Sequence, residues 1–323
     1  MTDPRFYGWL WQMENEIRPL VPMVYYHVWD NYPPPKYNAK WYGSTDVVAS
    51  ISKVTHDIVA KVSPDVENHY LPHAVDQQVF KKLNKEDVVD FKEKQFPQGK
   101  DKFVFFWNNR NARRKQSGTV VHWFNKFAEE VGPENVCLLM HTDPRDPNGQ
   151  DLELILRDLE AADGRVILSR EKLPAEAMSM MYNMADCTLN ISDAEGFGLA
   201  TLESLACGTP IIVSMTGGLQ EQVTDGEEWF GIGIEPASSS LIGSQQVPYI
   251  SEEDFIGALR KMYDMSEEER SELGDKGLAH VDKNYSFEKY QNSWLGLTED
   301  IIERFGSWES RKEYKSWDFK EIR

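Results

Sequence analysis

The chain is poor in cysteine, in cations and in long apolar runs, and each shortage closes off a class of function. Only three cysteines occur in 323 residues, Cys137, Cys187 and Cys207, with no CxxC or Cys/His spacing. That excludes a disulfide-stapled scaffold and a zinc-built one, and it predicts reduced, buried thiols. Lys and Arg number 35 against 53 Asp and Glu, for a net charge of −18. A nucleic-acid partner and electrostatic docking on an anionic leaflet are therefore not expected. No apolar run approaches the roughly 20 residues that span a bilayer, and no secretory signal pattern opens the sequence. A cytoplasmic protein without a transmembrane segment is the expectation. The Asn190-Ile191-Ser192 sequon sits on an apolar strand pattern, which argues against its glycosylation.

What is present is a globular composition, 41% hydrophobic, with enough chain for two modest domains. Short apolar runs alternate with helical patterns, the signature of parallel strands joined by crossover helices. The predicted strands are Val21 to Val28, Val47 to Ser52, Phe103 to Trp107, Val136 to His141, Arg165 to Leu168, Cys187 to Ile191 and Pro210 to Ser214. Polar, charge-rich sequence between residues 82 and 100 reads as a linker between two Rossmann-like units. From residue 251 on, three helical segments follow, two of them opened by a capping-box serine. The domains expected are 1–85, 86–290 for a second and complete unit, and 291–323 for C-terminal helices packing back toward the first.

The most informative stretch is EGFGLATLE, residues 195–203. A helix opening near Gly198 puts Glu203 on its wall and leaves Glu195 in the loop before its N-terminus. The N–H groups of Phe197, Gly198 and Leu199 then face an anion such as a diphosphate, with the helix dipole favouring it. A second element, NNRNARRKQ, follows the strand at 103–107 and sets Arg110 five residues before Lys115, where cations meet the diphosphate from the opposite side. Arg113 and Arg114 fall in the same basic run. Asp143 and Asp146 invite a metal-site reading, but their Pro-rich surroundings predict turn chemistry, and no metal is assigned.

Together these elements resemble the donor site of retaining glycosyltransferases of family 4, which have the GT-B fold of two Rossmann-like domains with parallel sheets. The resemblance implies that Glu195 contacts the transferred sugar, that Phe197, Gly198 and Leu199 hold the diphosphate and that Glu203 takes the ribose hydroxyls. It implies that Arg110 and Lys115 neutralise the leaving diphosphate in place of a metal, that His27 lies beside the sugar, and that the base lies near Leu168 to Arg170. It places His73 in an interdomain segment with a structural role. No cofactor is implied. The nucleotide-diphosphate sugar is a co-substrate, GDP-mannose or a UDP-sugar with GDP favoured, and mannose or glucose passes to a hydroxyl acceptor on a glycan, lipid or small molecule. The pattern departs from the family in one respect: only a short segment precedes His27 where the family has several strand-helix units. The N-terminal domain is thus expected to be incomplete, with exposed apolar edges that favour a homodimer. Two alternatives share the same features: a nucleotide-sugar-binding protein or partner-dependent subunit without transferase activity, and a GT-B phosphorylase or epimerase.

Overall fold

Val24 is exposed while Tyr25 and His27 are buried, the alternation of a strand with one covered face. In the computed structural model, which describes residues 3–161, 163–312 and 314, this strand, β1 (Val24–His27), pairs in parallel with β2 (Val47–Ser50). The wholly buried β2 in turn pairs with β3 (Asn68–Tyr70), giving a three-stranded sheet in the order β1-β2-β3. Around it lie α1 (Gly8–Gln12), α2 (Glu14–Ile17), α3 (Ala39–Gly43) and α4 (Lys53–Val62). The Ser52 hydroxyl caps α4 by accepting from the Thr55 amide at 3.2 Å. One face of the sheet buries Trp11, Tyr25, Tyr42, Val48 and Val59 together.

The chain divides into two compact units, one of residues before Ala74 together with those from Glu288 on, the other Ala74–Phe287. The boundary thus falls before the expected linker. Residues 82–100 contain α5 (Lys85–Gln95), whose Val88 and Phe91 pack against the core of the second unit. Two apolar side chains three residues apart are enough to seat this helix, and its other positions, apart from the exposed Val89 and Gln95, are charged.

In the second unit the elements run β4 (Phe103–Asn108), α6 (Ser117–Val131), β5 (Val136–His141), α7 (Leu152–Asp158), β6 (Val166–Ser169), α8 (Ala175–Met184), β7 (Cys187–Asn190), α9 (Leu199–Ala206), β8 (Ile211–Ser214), α10 (Gln220–Val223) and β9 (Gly231–Ile234). They build a six-stranded parallel sheet, β6-β5-β4-β7-β8-β9. Both faces are covered, so strands such as β4 and β5 read as unbroken apolar runs. Along β4, Phe105 and Trp107 join one core with Phe124 and Leu138. Val104 and Phe106 join the other, with Leu139 and Tyr182. A separate antiparallel hairpin follows, β10 (Ser238–Ile242) with β11 (Gln245–Tyr249). After it come α11 (Glu252–Asp264) and α12 (Glu267–Asn284), the latter opened by a full capping box at Ser266 and Glu269. At α11 the third residue is Asp254, and Ser251 makes the one-way cap to its amide.

The last helix, α13 (Phe287–Phe305), brings the chain back: Leu297 and Ile301 pack with Val47, Ala49 and Leu71. Arg311, beyond it, donates to Asp46 at 2.9 Å and to the carbonyl of Arg18 at 2.8 Å. The expected C-terminal segment 291–323 runs past the described residues, which end at Tyr314. All three cysteines are buried and free, and burial pushes the Cys137 and Cys207 thiols up to about 12. No helix among the described residues is long and apolar enough to cross a membrane.

Candidate active site

The strand order of the large sheet reverses between β4 and β7, and in open α/β sheets ligands bind at the carboxyl ends of strands at such a switch point. The loops after these two strands are the ones that carry the charged motifs. After β7, Gly198 is the N-cap of α9 with φ +95°, a conformation L side chains avoid. A Cβ there would lie 2.7 Å from Leu219 Cδ2. Four further contacts fix the turn. Gln222, fully buried, donates its amide to the carbonyls of Phe197 at 2.7 Å and Gly198 at 3.1 Å. The Gly218 amide donates to the Glu195 carbonyl at 2.8 Å, and a Cβ on Gly218 would lie 2.6 Å from Phe197 Cα. Phe197 itself packs edge-on against Tyr285. The N–H groups at the start of α9 have no intrahelical acceptor and sit at its positive dipole end, while Leu199 is 43% exposed.

Glu195 and Lys115 meet here. The Lys115 ammonium donates to Glu195 Oε2, and the two residues are only 6% and 9% exposed. Burial pushes the Glu195 carboxyl up, but the cations of Lys115 and Arg114 outweigh it and hold the group below the usual carboxylate range. Arg114 reaches the same carboxylate at 3.7 Å and donates to the Ala194 carbonyl at 2.5 Å. Arg110 takes a different position. Exposed, it donates to both oxygens of Asp146, at 2.6 and 3.3 Å. Around Glu195 the cations are thus Lys115 and Arg114, while Arg110 stands apart on Asp146. The cause is local: Arg113–Lys115 form a single 3-10 turn that places Arg114 next to Lys115 at the carboxylate. Asp143 and Asp146 accept from the amides of Arg145 and Asn148 at 3.0 and 2.8 Å, which is Asx-turn chemistry.

Glu203, on the wall of α9, accepts from the Tyr182 hydroxyl at 2.7 Å, and Asn108 at the end of β4 donates to that hydroxyl at 2.7 Å. Burial pushes the Glu203 carboxyl up to about 6. At the ends of β5 and β6 lies a cavity of about 480 Å³, lined by His141, Thr142 and Arg170 among others. Thr142 Oγ1 is buried there without a hydrogen-bond partner among the described residues. Arg170 is ion-paired to Glu153 at 2.5 Å. Leu168 instead packs against the hydrophobic core.

His27 belongs to the other unit and is fully buried. Its Nδ1 is 3.0 Å from the Tyr25 hydroxyl and its Nε2 2.7 Å from that of Tyr42. Both ring nitrogens are engaged inside the protein, an arrangement that holds a side chain in place. His73 packs against the rings of Tyr26 and Tyr290. Sequence reasoning did not single out Gln222, Gly218 or Tyr182, which shape the site from distant positions in the chain; the GG pair at 217–218 was the one visible sign.

A doubly wound sheet with a glycine turn, a helix N-terminus and a buried Lys–Glu pair at its switch point defines the donor half of a GT-B fold. Solved structures share that fold. Sucrose-phosphate synthase from Thermosynechococcus elongatus aligns with a TM-score of 0.67 at 21% identity, over 82% of this chain and 61% of that one. Anabaena HepE, crystallised with UDP and glucose, aligns with a TM-score of 0.68 at 12% identity, over 86% and 71%. Residues 88–277, more than half of the chain, match the family of group 1 glycosyl transferases, and the chain belongs to that family. Among its relatives is N-acetyl-alpha-D-glucosaminyl L-malate synthase of Bacillus anthracis, 27% identical over 215 residues, 65% of this chain and 51% of that protein. Another is D-inositol 3-phosphate glycosyltransferase of Acidothermus cellulolyticus, 33% identical over 117 residues, 36% and 26% respectively. The chain thus spans about half the length, or less, of these curated relatives.

Proposed function

We propose that the second unit binds a nucleotide-diphosphate sugar and that the protein is a retaining, metal-independent glycosyltransferase moving a hexose to a hydroxyl acceptor. The observation that carries this reading is the buried Lys115–Glu195 pair beside the Gly198 turn at the start of α9. The diphosphate takes the helix N-terminus and exchanges with Glu195 for the charge of Lys115, with Arg114 beside it and Arg110 joining when it leaves Asp146. Glu203 accepts the ribose hydroxyls, and the base fills the cavity beside His141 and Thr142. In front-face transfer the acceptor oxygen bonds to the anomeric carbon on the side from which the diphosphate departs. The sugar–phosphate C–O bond breaks, and the acceptor proton passes to the leaving phosphate oxygen. Preorganised cations and amides stabilise the charge developing there.

The test is a thermal-shift panel of UDP, GDP, ADP and their common sugars, run on the wild type and on Glu203→Ala. Saturation about 100-fold above Kd stabilises by ~2.7 kcal/mol, several degrees for a domain of this size. One base giving that shift, with loss in Glu203→Ala, supports the donor site, and release of that diphosphate from its sugar separates enzyme from binder. No shift with any nucleotide overturns the reading.

A further inference from the structure

A second cavity, of about 190 Å³, lies within the same unit behind the loop that carries Glu195, and its lining shares no residue with the Gly198 turn or the Lys115–Glu195 pair. Its walls are Trp123 of α6, Tyr249 at the end of β11, Ile250, and the polar residues Gln116, Asp193 and Ser214. Asp193 is only 5% exposed. Its Oδ1 accepts from the Gln116 side chain at 2.7 Å, whereas its Oδ2 is buried with no hydrogen-bond partner among the described residues. The neighbouring hydroxyls are already committed. Those of Ser214 and Thr216 donate to the Ser192 carbonyl at 2.8 and 2.9 Å. A buried acceptor left unpaired is costly, so the missing donor must come from whatever occupies the cavity.

The surroundings restrict what that donor is. Arg113 and Arg114 already bear on the Asp193 carboxylate, and burial pushes its carboxyl up to about 6. A further cation is therefore poorly matched, and a neutral hydroxyl fits better. Trp123 and Tyr249, with Pro236, Pro248 and Ile250, supply flat apolar walls of the kind that pack on a ring's carbon face. A dry cavity of about 150 Å³ holds benzene, so this one takes a single six-membered ring. We propose that this cavity binds one neutral polyhydroxylated ring, a monosaccharide or cyclitol, at a site separate from the nucleotide cleft, with Asp193 Oδ2 accepting one of its hydroxyls. The location gives the site a consequence. Gln116 directly follows Lys115, Asp193 lies two residues before Glu195, and the Asp193 amide donates to the Arg114 carbonyl at 2.9 Å. An occupant therefore bears on both loops that carry the ion pair, through Gln116 and Asp193.

The proposal does not depend on the nucleotide reading, and its test keeps the two apart. Glucose, mannose, N-acetylglucosamine and myo-inositol are titrated into the full chain, with binding read by saturation-transfer NMR and by melting temperature. At least one of them is expected to bind the wild type and Glu203→Ala equally, to stay bound under saturating UDP or GDP, and to bind about tenfold or more weakly to Asp193→Ala. Trp123→Ala is a second variant with the same expectation, in case Asp193→Ala does not fold. Failure of all four rings to bind the wild type, displacement by a nucleotide, or undiminished binding to both variants overturns the proposal.

Discussion

Strands of both parallel sheets end in polar residues, and the ends do opposite things. At the end of β1, His27 is closed in by Tyr25 and Tyr42, and its two nitrogens are used up within the core. At the ends of β4 and β7, the loops bring Lys115, Arg114 and Glu195 together at a helix start, with charge that a ligand can exchange for its own. Position at a strand's carboxyl end is therefore not sufficient for chemistry. What decides is whether the neighbours consume the polar atoms or leave them with a charge that is only internally balanced.

The sharpest way to break this contrast is Lys115→Ala. It leaves Glu195 buried without its closest cation, a loss of about 3–5 kcal/mol of the kind seen when a buried pair is cut, and turnover of the proposed donor falls at least ~10²-fold. Urea unfolding and diphosphate release measure the two effects, and near-normal values of both would remove the pair from the site. Next comes Gly218→Ala. The added methyl meets the Phe197 backbone, so the turn must shift, for about 1–3 kcal/mol together with weaker nucleotide binding. A variant that keeps nucleotide affinity would show that the turn amides are not used.

His27→Phe tests the other side of the comparison. It removes the hydrogen bonds between His27 and the Tyr25 and Tyr42 hydroxyls, costing about 1–3 kcal/mol, while stabilisation by nucleotide stays as in the wild type. Loss of the nucleotide response in that variant would tie His27 to the donor site after all. The smallest effect is a pH step. The Glu203 carboxyl stands near 6, above its ordinary value of 4.5, so the folded state holds that proton more tightly than the unfolded one. Its contribution to stability declines as pH rises from about 4.5 to about 6. Nucleotide affinity moves the other way, rising through pH 6 as the carboxylate forms, and Glu203→Gln flattens that rise in a titration series. Asp193 stands near the same value, so Asp193→Asn serves as the control that leaves the step in place.

Much of the sheet was legible because burial on both faces writes itself as runs such as FVFFW and VCLLMH, and all seven expected strands occur with ends shifted by up to three residues. The strands that escaped notice had no such run. Asn68–Tyr70 is polar, Gly231–Ile234 is half glycine, and the hairpin strand Ser238–Ile242 is exposed throughout. Helix α5 was taken for a linker because two apolar contacts among charges leave almost no periodic signal. In the site, the Glu195, Gly198 and Glu203 geometry followed from spacing along one turn and one helix. The arginines did not, since which member of a basic run faces a carboxylate is set by a 3-10 turn that spacing does not reveal. One hydrogen-bond partner of His27 was visible in the sequence: Tyr25, two residues earlier, lies on the same strand face.

The first unit takes its sheet from residues before Ala74 and its covering helix from residues after Phe287. The sheet face that α13 covers therefore cannot close on the ribosome until α13 has been made. At about 5–20 residues per second, β3 waits roughly ten seconds or more for α13. The second unit, contiguous in the chain, is free to fold in that interval, so the unit begun first is the last to be finished. A truncation at the carboxyl end would do its damage near the amino end.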